Sequence, residues 1–296
     1  MPVPTETVTA TASPTAGGGG SGELAYASMR SGAPPQIYLS NIDGSDPHAL
    51  TQQANGACQP AWSPDGNKLA FISPCPEKSD QYRQASLFIL DLASGQIDPL
   101  PVFPGGSFEP AWSPDGSRIA FTSVVGGLPQ IFLLDLNNLA ATRLTPDALN
   151  TQAGQPAWSP DGKQIVYTVR RFNLLQIWTI GADGKQPTQL VRNGGGFSDY
   201  LPAWSPDGSL VLFSETSADA SPPANLMRFT FASNKTEVVR AFIPVVDVAF
   251  SPDGQWVAYE TIANKNQEIR IASLTSDIAQ DLVDPSAIDF DPAWRP

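Results

Sequence analysis

The heptad PAWSPDG is written four times in this chain, at residues 60–66, 110–116, 156–162 and 202–208. A looser copy, VAFSPDG, follows at 248–254, and the chain ends inside another, DPAWRP, at 291–296. The aromatic positions Trp62, Trp112, Trp158, Trp204, Phe250 and Trp294 are spaced by 50, 46, 46, 46 and 44 residues. Self-similarity at this period marks a propeller or a solenoid, and one unit separates the two. Within 106–145, FEPAW is a short run and SPDG is turn chemistry, with Pro presetting φ and Gly free to take positive φ. RIAFTS, QIFLLDL and ATRLT follow as three further runs, joined by VVGGLP and NNL. Four short strands joined by tight turns make a β-meander blade.

The remaining units repeat the template, with second strands KLAFIS, QIVYTV, LVLFSE and WVAYET and no helical period of apolar residues. Pro60, Pro110, Pro156, Pro202 and Pro292 fall in the first strand of their units. A residue that cannot donate to a ladder belongs at a strand start or a sheet edge, and the innermost strand of a blade has one edge on the central channel. GELAYAS (22–28), QIYLSNIDG (36–44) and PHALT (47–51) supply a second, third and fourth strand without a first. IDFDPAWRP at the other end supplies a first strand alone. The expected fold is all-β: a six-bladed propeller of four-stranded antiparallel blades, closed where the C-terminal strand joins the N-terminal blade.

Charge and composition bound the partners. A formal net charge of −12 with only 17 Lys and Arg argues against nucleic acid, which needs clustered cations. Nowhere is an apolar run long enough to cross a bilayer, so any membrane attachment would come from an anchor outside this chain. Residues 1–22, MPVPTETVTATASPTAGGGGSG, have almost nothing to bury and read as a flexible tether. A cloning linker is the rival reading. The propeller is assigned to 23–296.

The unit PAWSPDG-x-x-(I/L)-A-(F/Y) resembles the repeat of TolB-like propellers, a WD40-like repeat family of bacterial exported proteins, over residues 23–296. The resemblance implies a rigid propeller in an extracytoplasmic setting, the periplasm or the cell surface. Its relatives include protein-binding propellers, sensor domains, propellers that gate prolyl-oligopeptidase-type peptidases, and a few metal-dependent lyases. No residue selects among these.

Folding the first two strands of a unit about SPDG places Cys58 and Cys75 nearly opposite each other. Facing Cα atoms in such a pair lie about 4.5–5.5 Å apart, within reach of a disulfide. An oxidising compartment favours that bond over two buried thiols. Catalytic chemistry is thin: the single His48 has no G-x-S-x-G partner and cannot supply the several ligands of a metal-dependent lyase. Neither a catalytic residue, a metal site nor a cofactor is expected. Asp65, Asp115, Asp161, Asp207 and Asp253 of the SPDG turns read as turn-bonding carboxylates. Asp199, Asp247, Asp289, Asp291 and Glu109 lie at or before inner strands, either as scattered solvated acids or as a ring at the channel mouth able to hold a cation.

Loops that follow second and fourth strands vary in length and share one face; those that follow first strands keep the SPDG length except at the truncated end, and those that follow third strands vary little. Function is carried by loops on a rigid scaffold. On the variable face, Tyr82, Arg83, Arg170, Arg171, Phe172, Phe197 and Tyr200 are mostly of the types enriched in binding hot spots. The expected protein is a non-enzymatic, monomeric recognition propeller that binds a protein, a peptide or an envelope glycan there. A sensor or gating domain of a larger receptor kinase or peptidase, and a channel-mouth carbohydrate enzyme, are the alternatives.

Overall fold

The computed structural model describes residues 22–79, 81–146, 151–192, 196–217, 224–240, 245–263, 266–276, 278–282 and 287–296. These form six four-stranded antiparallel sheets. The inner strands, blade one to blade six, are Ala287–Trp294, Cys58–Trp62, Phe108–Trp112, Gln152–Trp158, Phe197–Trp204 and Val245–Phe250. Each pairs with the second strand of its blade: Glu23–Arg30, Lys68–Ser73, Arg118–Ser123, Gln164–Arg171, Leu210–Ser217 and Trp256–Ala263. Ring closure occurs as expected, with Leu24 facing Trp294 and Arg30 facing Ala287. Closure leaves only short, protected sheet edges.

Second strands are near-continuous apolar runs because neighbouring blades cover both of their faces. Leu69, Ala70, Phe71 and Ile72 are all fully buried, as are Ile119, Ala120 and Phe121 one blade on. A fully buried side chain of this size contributes about 1.5–3 kcal/mol. The repeated tryptophans stand between blades: Trp62 Nε1 donates to the Ala293 carbonyl at 3.0 Å and Trp158 Nε1 to that of Ala111 at 3.1 Å.

The SPDG aspartates are turn ligands. Ser63 Oγ donates to Asp65 Oδ1 at 2.6 Å, and the same Ser–Asp bond recurs at 113–115, 159–161, 205–207 and 251–253. Those hydroxyl and backbone donors pull the carboxyls of Asp65 and Asp115 down to about 2. Where Gly116 packs against Pro64 of the preceding turn, Gly66 meets Arg295 and the Pro296 carbonyl, because the truncated last copy carries Arg-Pro where the others carry Ser-Pro. Arg295 Nη1 reaches Glu23 Oε2 at 2.5 Å, its Nε donates to the Gly66 carbonyl at 2.9 Å, and its guanidinium lies 5.1 Å from the Trp62 ring centroid. One side chain thus clasps both ends of the chain.

Cys58 and Cys75 form the expected disulfide, with Cα atoms 5.9 Å apart. The geometry differs in one respect. Cys58 faces Ile72, and Cys75 lies beyond the end of the second strand. The second strand ends at Ser73, before Pro74, and a bulge between Cys58 and Ala61 moves the partner of Cys58 one residue further from Cys75.

Candidate functional site

The bulge of blade two is general. Register shifts interrupt the inner strands between Phe108 and Ala111, Gly154 and Ala157, and Tyr200 and Ala203. The residue just before each inner-strand proline, Gln59, Glu109, Gln155, Leu201 and Asp291, has φ between 53° and 57°. A left-handed non-Gly residue costs about 1–2 kcal/mol, and bulges re-aim a side chain out of the ladder. Here these residues turn onto the wall of the central channel, a cavity of about 190 Å³ that they line with the prolines, Val246, Asp247 and the loop residues Lys78 and Ser79.

Four of these side chains form a relay around the channel. Asp291 Oδ2 accepts from the backbone N–H of Gln59 at 3.1 Å, Gln59 Oε1 from that of Glu109 at 2.7 Å, Glu109 Oε2 from that of Gln155 at 2.7 Å, and Gln155 Oε1 from that of Leu201 at 3.0 Å. Thr122 and Thr168, on the second strands behind, also donate to Glu109 and Gln155, at 2.6 and 2.7 Å. The relay stops at Leu201, which has no acceptor on its side chain. Blade six then departs from the repeat: Val248 replaces the proline, and its N–H is taken by Asp247 Oδ1 at 2.8 Å. Glu260 stands where Thr122, Thr168 and Ser214 stand, at 46-residue steps.

Glu260 has a fully buried side chain and accepts from Lys78 Nζ and, at 3.4 Å, from the Asp291 N–H. Lys78 Nζ also lies 3.7 Å from Asp291 Oδ1 and 5.4 Å from the Phe290 ring centroid. Three carboxylates thus share one ammonium. Burial, the charge of Asp291 and that of Glu260 push the Asp247 carboxyl up to about 8, against the opposing pull of Lys78. Burial raises Glu260 and Asp291 as well. Desolvation works against the Lys78 ammonium, but Asp291 and Glu260 outweigh it and raise its pKa.

Of the acids singled out in the sequence, Glu109, Asp247 and Asp291 do line the channel. Asp199 and Asp289 do not: both are buried within their blades, 3% and 4% exposed. Among the described residues no group of three or more His, Cys, Asp and Glu side chains is placed to hold a metal ion. His48 is exposed, with Nδ1 3.0 Å from the Asp46 carbonyl.

The hot-spot residues separate into three groups. Tyr82 is buried; its ring packs against Phe108 and its hydroxyl accepts from the Ser79 N–H at 2.8 Å, so it supports the loop that carries Lys78. Arg83 is exposed and donates to Gln81 Oε1 at 3.0 Å. The other five gather around blades four and five: Arg170, Arg171, Phe197 and Tyr200 lie on strands rather than in loops, and Phe172 is in the turn between two of them. Phe197 pairs with Ser217, and Arg171 with Leu174, because these strands run on past the body of the blade as two-stranded ribbons. Adjacent strand residues point to opposite faces. Arg170 accordingly lines a cavity of about 260 Å³ with Tyr200, Gln155 and Glu109, while Arg171 and Phe172 border one of about 490 Å³ with Tyr167, Val169 and Trp178. At the ribbon's tip Phe172 and Asn173 have φ of 51° and 64°, and the Phe172 ring is 86% exposed. The first of these cavities shares Glu109, Gln155, Leu201 and Val246 with the channel, so the two form one concave tract.

The profile of the TolB beta propeller domain family matches residues 6–237. The chain belongs to that family. A Tol-Pal system protein TolB from Histophilus somni (strain 2336) is 32% identical over 85 residues, 28% of this chain and 18% of that protein. The match therefore spans under a fifth of that relative's length. The crystal structure of TolB from Acinetobacter baumannii superposes with a TM-score of 0.80 at 23% identity, covering 93% of this chain and 67% of that one. Enzymes share the fold too: an oligogalacturonate lyase from Vibrio parahaemolyticus superposes with a TM-score of 0.58 at 13% identity, covering 84% of this chain and 71% of the lyase. At such identities the likeness concerns the propeller and not its chemistry.

The relay, Lys78 and Glu260 escaped the sequence reading. Two irregularities pointed to them: the 50-residue spacing of blade two, which holds the loop with Lys78, and a Glu at the 46-residue positions otherwise filled by Thr and Ser.

Proposed function

We propose that this TolB-family propeller is a non-enzymatic, extracytoplasmic recognition module that holds a protein partner on its variable face, over the channel mouth and the ribbon of blade four. The observation that carries the reading is Phe172: a large apolar ring, 86% exposed, held in a left-handed conformation at a ribbon tip beside the cavity of about 490 Å³. Strain of this kind persists where it serves a site, and a rigid aromatic beside Arg171 is the usual composition of a hot spot. The name of the Tol-Pal relatives supports an envelope protein as the partner. The Cys58–Cys75 bond supports an oxidising compartment.

The test is capture from an envelope extract by the wild-type chain and by a variant carrying Arg171→Ala with Phe172→Ala. Specific partners should be lost from the variant while its melting temperature is held. Unchanged capture would move the site off this ribbon.

A further inference from the structure

We propose that the cavity between blades three and four binds a small aromatic carboxylate that carries a polar group on its ring. The ring enters beside Tyr167 and Trp178, its polar group meets the Tyr167 hydroxyl, and its carboxylate meets Arg171. This cavity of about 490 Å³ shares no lining residue with the channel. The inference goes beyond the partner-binding reading, although Arg171 and Phe172 belong to both.

Three observations lead there, and the first is a missing ring. The second strands carry an aromatic residue at one repeat position: Tyr26, Phe71, Phe121, Tyr167, Phe213 and Tyr259. The Phe121 ring is flanked by Phe132 of its own blade, at 5.8 Å between centroids, and by Phe103, at 5.0 Å. Phe103 comes from the connection that leads in from the preceding blade. One blade on, Tyr167 faces Trp178 in the ladder, but the incoming connection, LTPDALNT at 144–151, contains no aromatic residue. Thr145, Pro146 and Thr151 of that connection border the cavity instead, with Tyr167 and Trp178 across from them. The place of an aromatic ring, filled from within the chain at Phe121, is thus open to a ring from outside at Tyr167. About 490 Å³ falls within the roughly 300–1,000 Å³ of sites that enclose a whole small ligand.

The second observation is the Tyr167 hydroxyl. Tyr26 and Tyr259 hold theirs against Ser40 with Arg30, and against Arg270. Tyr167 is only 3% exposed, and its hydroxyl has no hydrogen-bond partner among the described residues. Burial alone pushes its pKa up to about 12, so it stays a neutral group able to donate and to accept. It is not sealed in as the Ser107 and Ser123 hydroxyls are, and the space it opens on is the cavity it lines. The neighbouring polar groups are already engaged. Thr145 Oγ1 donates to Gln130 Oε1 at 2.7 Å, Gln130 Nε2 to the Thr151 carbonyl at 2.8 Å, and Trp178 Nε1 to Gln176 Oε1 at 3.2 Å. The third observation is charge. Arg171 shares the strand face of Tyr167 and Val169 and stands exposed at the rim. Its guanidinium lies 5.3 Å from the Phe172 ring centroid and meets no carboxylate among the described residues. Its planar fork matches a carboxylate.

The test is calorimetric titration of the whole chain with 3-(4-hydroxyphenyl)propionate. Saturable binding is expected, with 3-phenylpropionate, which lacks the ring hydroxyl, at least about fivefold weaker, the weight of one hydrogen bond. Tyr167→Phe installs the residue that Phe71, Phe121 and Phe213 already place at this position, so the fold is kept. That variant should bind the two acids equally. Arg171→Gln should bind the hydroxylated acid no better than its primary amide, whereas the wild type prefers the acid. Absence of saturable binding to the wild type, or a hydroxyl preference that survives Tyr167→Phe, overturns the inference. A peptide ending in tyrosine that binds where the free acid does not would assign the cavity to a chain terminus and overturn it equally. Because no partner is needed, failure here leaves capture by the Arg171–Phe172 ribbon to stand or fall separately.

Discussion

Phe172 and Asp247 each hold a state that an isolated residue avoids, and each makes a prediction. Phe172→Asn places at the tip a residue that tolerates positive φ. Its stability should rise by up to about 1 kcal/mol in urea unfolding, while partner capture falls. A loss of both would make Phe172 a packing residue. For Asp247 the sign follows from its pKa, raised from 3.8 to about 8. Its protonated form favours the fold, so that contribution is complete below pH 4 and is lost as pH rises through about 8. The lowered carboxyls of Asp65 and Asp115 act oppositely: their contribution is present above 3.8 and is lost as pH falls toward about 2. Asp247→Asn keeps an acceptor for the Val248 N–H and removes the charge. The gain in stability over the wild type should be smallest below pH 4, grow as pH rises, and level off above about 8, read from paired melting curves.

At the scale of elements, the strands and their faces were largely legible. Period-2 apolar runs bounded by SPDG located the inner and second strands, and strand repeats put the variable connections on one face. What was not legible was where strands end and where they bulge. Phe197, Tyr200, Arg170 and Arg171 read as loop residues because they are polar or stand beside Gly and Asn, yet they are paired backbone. Cys58 and Cys75 are bonded as their spacing about SPDG predicts, and what that spacing did not show is the bulge at Gln59, which moves the partner of Cys58 from Ser73 to Ile72. Unreduced, denatured protein should show no free thiol in a titration; two equivalents would contradict the bond. Replacing both cysteines by Ser should lower stability by roughly 2–4 kcal/mol in the chain-entropy account. It should also loosen the base of the Lys78 loop, seen as faster amide exchange at Ser79 than at Phe71.

For the whole molecule, closure is the governing event, because strands distant in sequence must meet before the sheet of blade one exists. Arg295 joins Glu23, the Gly66 carbonyl and the Trp62 ring, three elements contributed by both ends of the ring. Arg295→Ala should lower stability by about 1–3 kcal/mol, and Arg295→Lys should recover only part of that, since an ammonium cannot make the same planar contacts. Equal stability of all three chains in denaturant melts would show that the clasp is idle.

The repeat by itself determined the number of blades, the order of strands, the closing partner and the turn role of the SPDG aspartates, because each follows from local chemistry copied at a constant spacing. Only the tertiary structure decided what stands at the centre. Gln59, Glu109, Gln155, Leu201 and Asp291 precede a proline in their separate repeats, and nothing local says that closing the ring turns five of them onto one wall. Lys78 and Glu260 are 182 positions apart, and they meet because a ring of six brings every inner strand to the same axis. The physical reason is one of range: strands and turns are set by neighbours in sequence, whereas a channel is made only when all the blades have closed.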